Sequence, residues 1–174
     1  MLGAPSSDPT ENVPINPIIP KSERRESIDR LICAEAIYGR DANPLFDQVG
    51  SLDGIRIVER RDYQKDDKYR CAWFVFKDED WWTRENDLTL EFWDDTENFL
   101  KARGYIKVDQ PEDGDIVLYK RGKELDKPST VNHFGIFNKG QVVSKFNQGH
   151  IFRHDIDMVP NMFGENLMFM RKNK

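Results

Sequence analysis

Cysteine is scarce in this sequence: Cys33 and Cys71 are the only two among 174 residues. Two are too few for a disulfide framework, and they do not have the spacing of a structural metal site. Histidine is nearly as rare, with His133, His150 and His154 making up the set, so imidazole chemistry rests on one of these. No apolar run is long enough for a membrane-spanning helix, and no basic start followed by an apolar stretch marks a secretory leader. A concentration of positive charge is also missing. The 26 Lys and Arg are scattered among 31 Asp and Glu for a net charge of -5, whereas a nucleic-acid partner calls for a basic footprint. The expectations are a cytoplasmic protein with reduced thiols, no membrane or nucleic-acid partner, no cofactor and no metal. Export by a route without a leader stays open, and nothing in the sequence fixes the oligomeric state.

Aromatic residues are present in quantity, at 11% of the chain with 4 Trp and 11 Phe, and large rings bury enough area each to build a core. Residues 1–21 hold Pro5, Pro9, Pro14, Pro17 and Pro20 with no helical period and read as a Pro-rich arm. Residues 22–174 read as one domain. A helix is expected from about Ser22 to Tyr38, with Ile28, Leu31 and Ile32 on its apolar face. A short helix or structured loop follows over Asp41 to Gly50, then a strand at Ile55 to Val58. Cys71-Ala72-Trp73-Phe74-Val75-Phe76 is a buried helix or strand that periodicity alone does not decide. Thr89 to Arg103 fits an amphipathic helix closed by Gly104. Strands are expected at Tyr105 to Val108, Asp115 to Lys120, Asn132 to Phe137, Gln141 to Phe146, Gly149 to His154 and Leu167 to Arg171. Asn138-Lys139-Gly140 supplies a hairpin turn. Helices first and antiparallel strands after give an α+β layout, N-terminal helices on a C-terminal sheet.

Cys71 stands where a polar loop gives way to an apolar segment. If that segment is helical, its first turn favours the thiolate, the reactive form of cysteine. The competing explanation is a small packed core residue, the commoner fate of a buried cysteine. His133 opens His133-Phe134-Gly135-Ile136-Phe137. Alternation puts His133, Gly135 and Phe137 on one face, with Gly135 leaving room beside the imidazole for a helix end or a substrate. A neutral imidazole within reach of a thiol takes its proton; a histidine at a strand edge is the plain alternative. Cys33, Asp78-Glu79-Asp80 and His154 read as packing, solvated surface and surface respectively, and Trp81, Trp82 and Trp93 as core more than substrate groove.

The order of these features resembles a known family. A Cys-bearing helix, Gly114-Asp115-Ile116-Val117, His133-Phe134-Gly135-Ile136 and a return strand are similar to the NlpC-type cell-wall peptidases and the CHAP-type amidases of the papain-like superfamily. Cys71-Ala72-Trp73 with the downstream stretch from Val143 to His154 is similar to a poorly characterised bacterial branch of it. The resemblance spans about Tyr69 to Arg171. It implies a papain-like fold with Cys71 as nucleophile, His133 as base, a backbone N–H at the helix start for the oxyanion, and a polar residue orienting His133. For that last part His150 comes first and Ser144 second, and a dyad with no third member is also open. Arg70 stands where the family has Asp or Asn, and the family's Tyr-x-Trp-Gly-Gly segment is absent.

The function so implied is a cysteine hydrolase, an amidase or peptidase that cleaves an amide bond through a thioester. The implied partner is a peptide or other amide-containing substrate, with peptidoglycan-type peptides the class that the resemblance points to. The alternatives are a non-catalytic binding module on the same fold and an acyltransferase or effector. Fold alone does not choose between them.

Overall fold

The computed structural model describes residues 23–32, 43–61, 70–82, 93, 95–122, 131–147 and 149–173. The arm at residues 1–21, Cys33 and the segment from Thr89 to Phe92 lie outside them. Among the described residues are helices α1 (Glu23–Leu31), α2 (Asn43–Val49), α3 (Cys71–Phe76) and α4 (Thr96–Lys101). The strands are β1 (Ile55–Glu59), β2 (Tyr105–Val108), β3 (Ile116–Lys120), β4 (Val131–Asn138), β5 (Gln141–Lys145), β6 (Ile151–His154) and β7 (Asn166–Lys172). A short 3-10 turn, Asn161–Phe163, precedes β7.

All seven strands join one antiparallel sheet in the order β1-β6-β5-β4-β3-β7-β2. The helix-plus-antiparallel-sheet layout agrees with the α+β expectation. The layering is less simple than helices first and strands after. β1, which lies between two helices in sequence, and β2, which follows α4, take the two edges of the sheet, and helices cover both of its faces.

Strand alternation decides which side chains meet which helices. On one face Val117, Tyr119, Val142, Phe152 and Phe169 pack with Ile28 of α1, Ile32 just past its end, and Phe46 and Val49 from α2. On the other, Ile116, Leu118, Phe134, Met168 and Met170 pack with Cys71, Ala72 and Phe76 from α3 and Leu100 from α4. The Cys71 to Phe76 run, ambiguous by pattern, is a helix because residues 71, 72 and 76 share one buried stripe. Phe76 is fully buried, edge-on to Phe134 at 5.4 Å between ring centroids. Burial of such a ring contributes roughly 2–3 kcal/mol and fixes the pose of the helix that starts at Cys71. Lys139 and Gly140 take positive φ of 52° and 78° in the β4–β5 hairpin, the left-handed pair a two-residue turn of this twist needs. Asp115, in the Gly-Asp-Ile-Val stretch, accepts two hydrogen bonds from Arg171 of β7 at 2.9 and 2.8 Å. That acid ties the start of β3 to its neighbour.

No helix among the described residues is long and apolar enough to cross a membrane.

Candidate functional site

β3 and β5 finish, and β4 begins, at the same end of the sheet. A cavity of about 490 Å³ opens there, lined by Arg70 and Cys71 at the start of α3, Trp93, Arg121, Val131, Asn132, His133, Asn147, Met162 and Phe163. The two residues expected to form a nucleophile and base, Cys71 and His133, thus share one concavity. They reach it from different sides. Cys71 is 6% exposed and belongs to the apolar cluster under α3. The His133 ring is fully buried on the opposite face, stacked on Phe163 at 4.0 Å with planes 9° apart and flanked by Tyr119 and Phe146.

Ser144 is the third member of the constellation. Its register partner is Gly135, so it stands on the same face as His133. Nε2 of His133 lies 3.0 Å from Ser144 Oγ, and Oγ lies 2.9 Å from Nε2 of His154. Nδ1 of His154 lies 2.8 Å from the carbonyl oxygen of Asp155. Gly135 does leave room, but for the neighbouring strand. A Cβ placed there would come within 2.3 Å of Val142 Cγ1 and 3.1 Å of Ser144 Cβ, so the glycine lets β5 bring its serine up to the imidazole.

Proton bookkeeping along this chain has one solution. A carbonyl only accepts, so His154 carries its proton on Nδ1. Burial pushes the pKa of His154 down to about 4, against the opposing pull of the Asp155 carbonyl and carboxylate, so its Nε2 holds a lone pair at neutral pH. Ser144 O–H therefore donates to His154 and accepts from His133 Nε2–H. Burial, and secondarily His154, holds the pKa of His133 well below its usual value. The neutral ring with its proton on Nε2 has its lone pair on Nδ1. That nitrogen is buried and makes no hydrogen bond with any described group. The relay thus pre-sets His133 as a proton acceptor at Nδ1, and it contains no carboxylate.

His150 is placed elsewhere. Its Nδ1 accepts from the backbone N–H of Arg61 at 3.0 Å, and its Nε2 lies 3.2 Å from Asp47 Oδ1. Both ring nitrogens are engaged between Arg61 and Asp47, so His150, expected first to orient His133, does not reach it, whereas Ser144, the second candidate, lies beside it. His154, expected on the surface, is fully buried. It sits in a strand with neighbours on both sides, facing Ile55 of β1 and Val142 of β5. Strict alternation from the apolar Phe152 would have turned it inward. Glu79 is likewise no solvated acid, since it accepts from Tyr105 O–H at 2.8 Å and from Trp81 at 3.1 Å. Trp82 is core at 7% exposure, whereas Trp93 lines the cavity.

Arg25 supports the cavity wall from a distance. Buried on α1, it donates from Nε to Val159 O at 3.1 Å and from one terminal nitrogen to Pro160 O at 3.3 Å and Gly164 O at 3.1 Å. Asp29, one turn on, accepts from Asn161 N–H at 2.8 Å and from its side-chain amide. The turn these residues hold carries Met162 and Phe163.

Fold and site together define a protein of mixed helices and antiparallel sheet whose cavity is lined by one cysteine and one tautomer-fixed histidine. The chain belongs to the family described as Domain of unknown function (DUF7689), whose model matches residues 61–171. The match takes in Cys71, His133, Ser144, His150 and His154 and stops short of α1. No curated protein and no solved structure matches the chain.

Proposed function

We propose that this protein is a cysteine hydrolase of the papain-like kind, cleaving an amide bond through a thioester, with Cys71 as nucleophile and His133 as general base. One observation carries the reading: the cavity at the sheet end is walled by both Cys71 and a histidine whose Nδ1 is left as the acceptor. The Sγ proton passes to Nδ1 as sulfur attacks the carbonyl carbon. Nδ1 returns it to the leaving amine nitrogen as the C–N bond breaks. Water, deprotonated by the same nitrogen, then cleaves the thioester to give the acid and the thiol. With an amine or alcohol in place of water the same steps amount to acyl transfer. Reaction requires Sγ and Nδ1 to close to hydrogen-bond distance, an approach of the kind that unliganded catalytic pairs make when substrate binds.

The second reading is a binding pocket without chemistry. It is favoured by the same Nδ1, which makes no hydrogen bond to the sulfur, and by a relay that offers no carboxylate to a charged imidazole. Alkylation separates the two. Cys71 labelling by iodoacetamide, followed by peptide mass spectrometry across pH 5–9, should slow by on the order of tenfold or more in His133→Ala, given the usual size of general-base effects. An unchanged rate and pH profile at Cys71 rejects the hydrolase in favour of the binding pocket.

A further inference from the structure

A second hollow lies at the other end of the sheet from the Cys71 cavity. It measures about 250 Å³ and is lined by Gly54, Ile55, Arg56, Gln141 and Arg153. β1 begins there, β6 ends there, and β5 sets out from there toward the cavity. The register sets Arg56 directly opposite Arg153 across the β1–β6 pair. Like charges facing each other on neighbouring strands destabilise a sheet, and these two go unanswered. The Arg56 side chain makes neither a hydrogen bond nor an ion pair, and Arg153 makes no ion pair. Asp53 and Asp155 adjoin the lining residues in sequence, but neither lines the hollow, and Gln141 Nε2 donates to Asp155 Oδ1 at 2.9 Å. Arg153 is nevertheless held in place. One of its terminal nitrogens donates to Asn138 Oδ1 at 2.7 Å and to Asn138 O at 3.3 Å. Its Nε is buried with no acceptor, the kind of unmet demand that a bound ion or water explains.

We infer that this hollow binds the phosphate group of a small molecule between Arg56 and Arg153, with the second side-chain N–H of Gln141 as a further donor. A phosphate group carries about -1.5 to -2 charges at neutral pH and three strong acceptor oxygens. It answers both guanidinium groups at once, whereas a carboxylate brings a single charge. Guanidinium donors match phosphate oxygens in pairs, and the anchored Arg153 loses little freedom on binding. The site stands apart from the hydrolase reading and does not depend on it.

Titration of the full chain with inorganic phosphate, followed by backbone amide shifts at constant ionic strength, tests it. The amides of Gly54, Arg56 and Arg153 should shift and saturate in the millimolar range. Arg56→Gln and Arg153→Gln should each raise the half-saturation concentration on the order of tenfold, as loss of a charge-assisted hydrogen bond does. Arg153→Lys, which keeps the charge and loses the fork, should fall between. Arg30→Gln, at an exposed arginine of α1 paired with Glu26, should leave it unchanged. Arg56 is exposed on an edge strand, so Arg56→Gln keeps the test intact even where an Arg153 variant folds poorly. O-phosphoserine that binds at least as tightly as inorganic phosphate identifies a phosphate ester as the ligand, and weaker binding identifies the free ion. Acetate should produce little shift at the same concentrations. Equal saturation by acetate overturns the inference. So do shifts that spread over the surface without saturating, or a half-saturation that Arg56→Gln does not move.

Discussion

His133 and Phe163 lie face to face, their ring centroids 4.0 Å apart and their planes 9° from parallel. One ring belongs to a central strand and the other to a three-residue turn. The turn is held by α1, because Arg25 donates to the carbonyls of Val159, Pro160 and Gly164. The orientation of the candidate base is therefore set in part by a helix outside the residues shared with the family.

Arg25→Met tests that linkage. The substitution keeps much of the apolar stem and leaves three buried carbonyls without their donor, at a cost of about 3 kcal/mol. Urea denaturation should show a lower midpoint with an unchanged m-value. Ring-current shifts of the His133 protons should move toward values without a stacked partner. Arg25→Lys, which keeps one charge but loses the fork, should fall between. A His133 environment identical to wild type in Arg25→Met would show that the turn holds its place without α1.

Ser144 makes a different claim, about protons and not stability. Its hydroxyl accepts from one imidazole and donates to another, so Ser144→Ala removes the reason for His133 to carry its proton on Nε2. Long-range proton–nitrogen correlation spectra of the wild type should show His133 as the Nε2–H tautomer. In Ser144→Ala the Nδ1–H form should gain population, and iodoacetamide labelling of Cys71 should slow by roughly tenfold, in line with loss of an aligned base. His154→Gln, which removes the next link, should shift the tautomer in the same direction with a smaller effect on labelling. A serine with only a packing role would leave the tautomer where it is.

Much of this arrangement was legible before any coordinates. The strands were readable because β3 is a near-continuous apolar run, β4 and β5 are short stretches rich in apolar residues, and Asn138-Lys139-Gly140 supplies the turn that connects the last two. Cys71 and His133 stood out by rarity and by their place at segment boundaries. Long-range pairing was not legible. That β1 lies against β6 depends on contacts across about a hundred residues, and this is what buries His154 and spends both nitrogens of His150 on Arg61 and Asp47. The β4–β5 register sets Ser144 opposite Gly135, beside His133, and the β5–β6 register sets His154 opposite Val142, two residues from Ser144 on the same face; neither register can be read from the spacing of His150. Arg25 was hidden by its charge. It shares the α1 face of Ile28 and Ile32, at helical spacings of three and seven, but an arginine there reads as a boundary of the stripe until its carbonyl partners are seen.

The two buried histidines also make stability depend on pH, with a sign that follows from their neutral native state. An imidazole whose pKa is lowered on folding is protonated more readily in the unfolded chain, so between the two values the unfolded state binds more protons and stability rises with pH. The contribution is complete above the unfolded value and is lost as pH falls through the folded one. For His154, a change from 6.5 to about 4 corresponds to roughly 3 kcal/mol, and His133 acts in the same direction. The urea midpoint should therefore fall steadily between pH 6.5 and 4. The carboxylates held below their usual range by Lys172, Lys101 and Arg171, namely Glu79, Glu97 and Asp115, begin to contribute only at the acid end of that window. His154→Gln should flatten the slope from pH 6.5 to 5 while leaving the decline below pH 4 in place. A wild-type midpoint that stays level from pH 7 to 5 would mean that neither imidazole is buried and neutral, and with it the fixed acceptor at His133 Nδ1 would be lost.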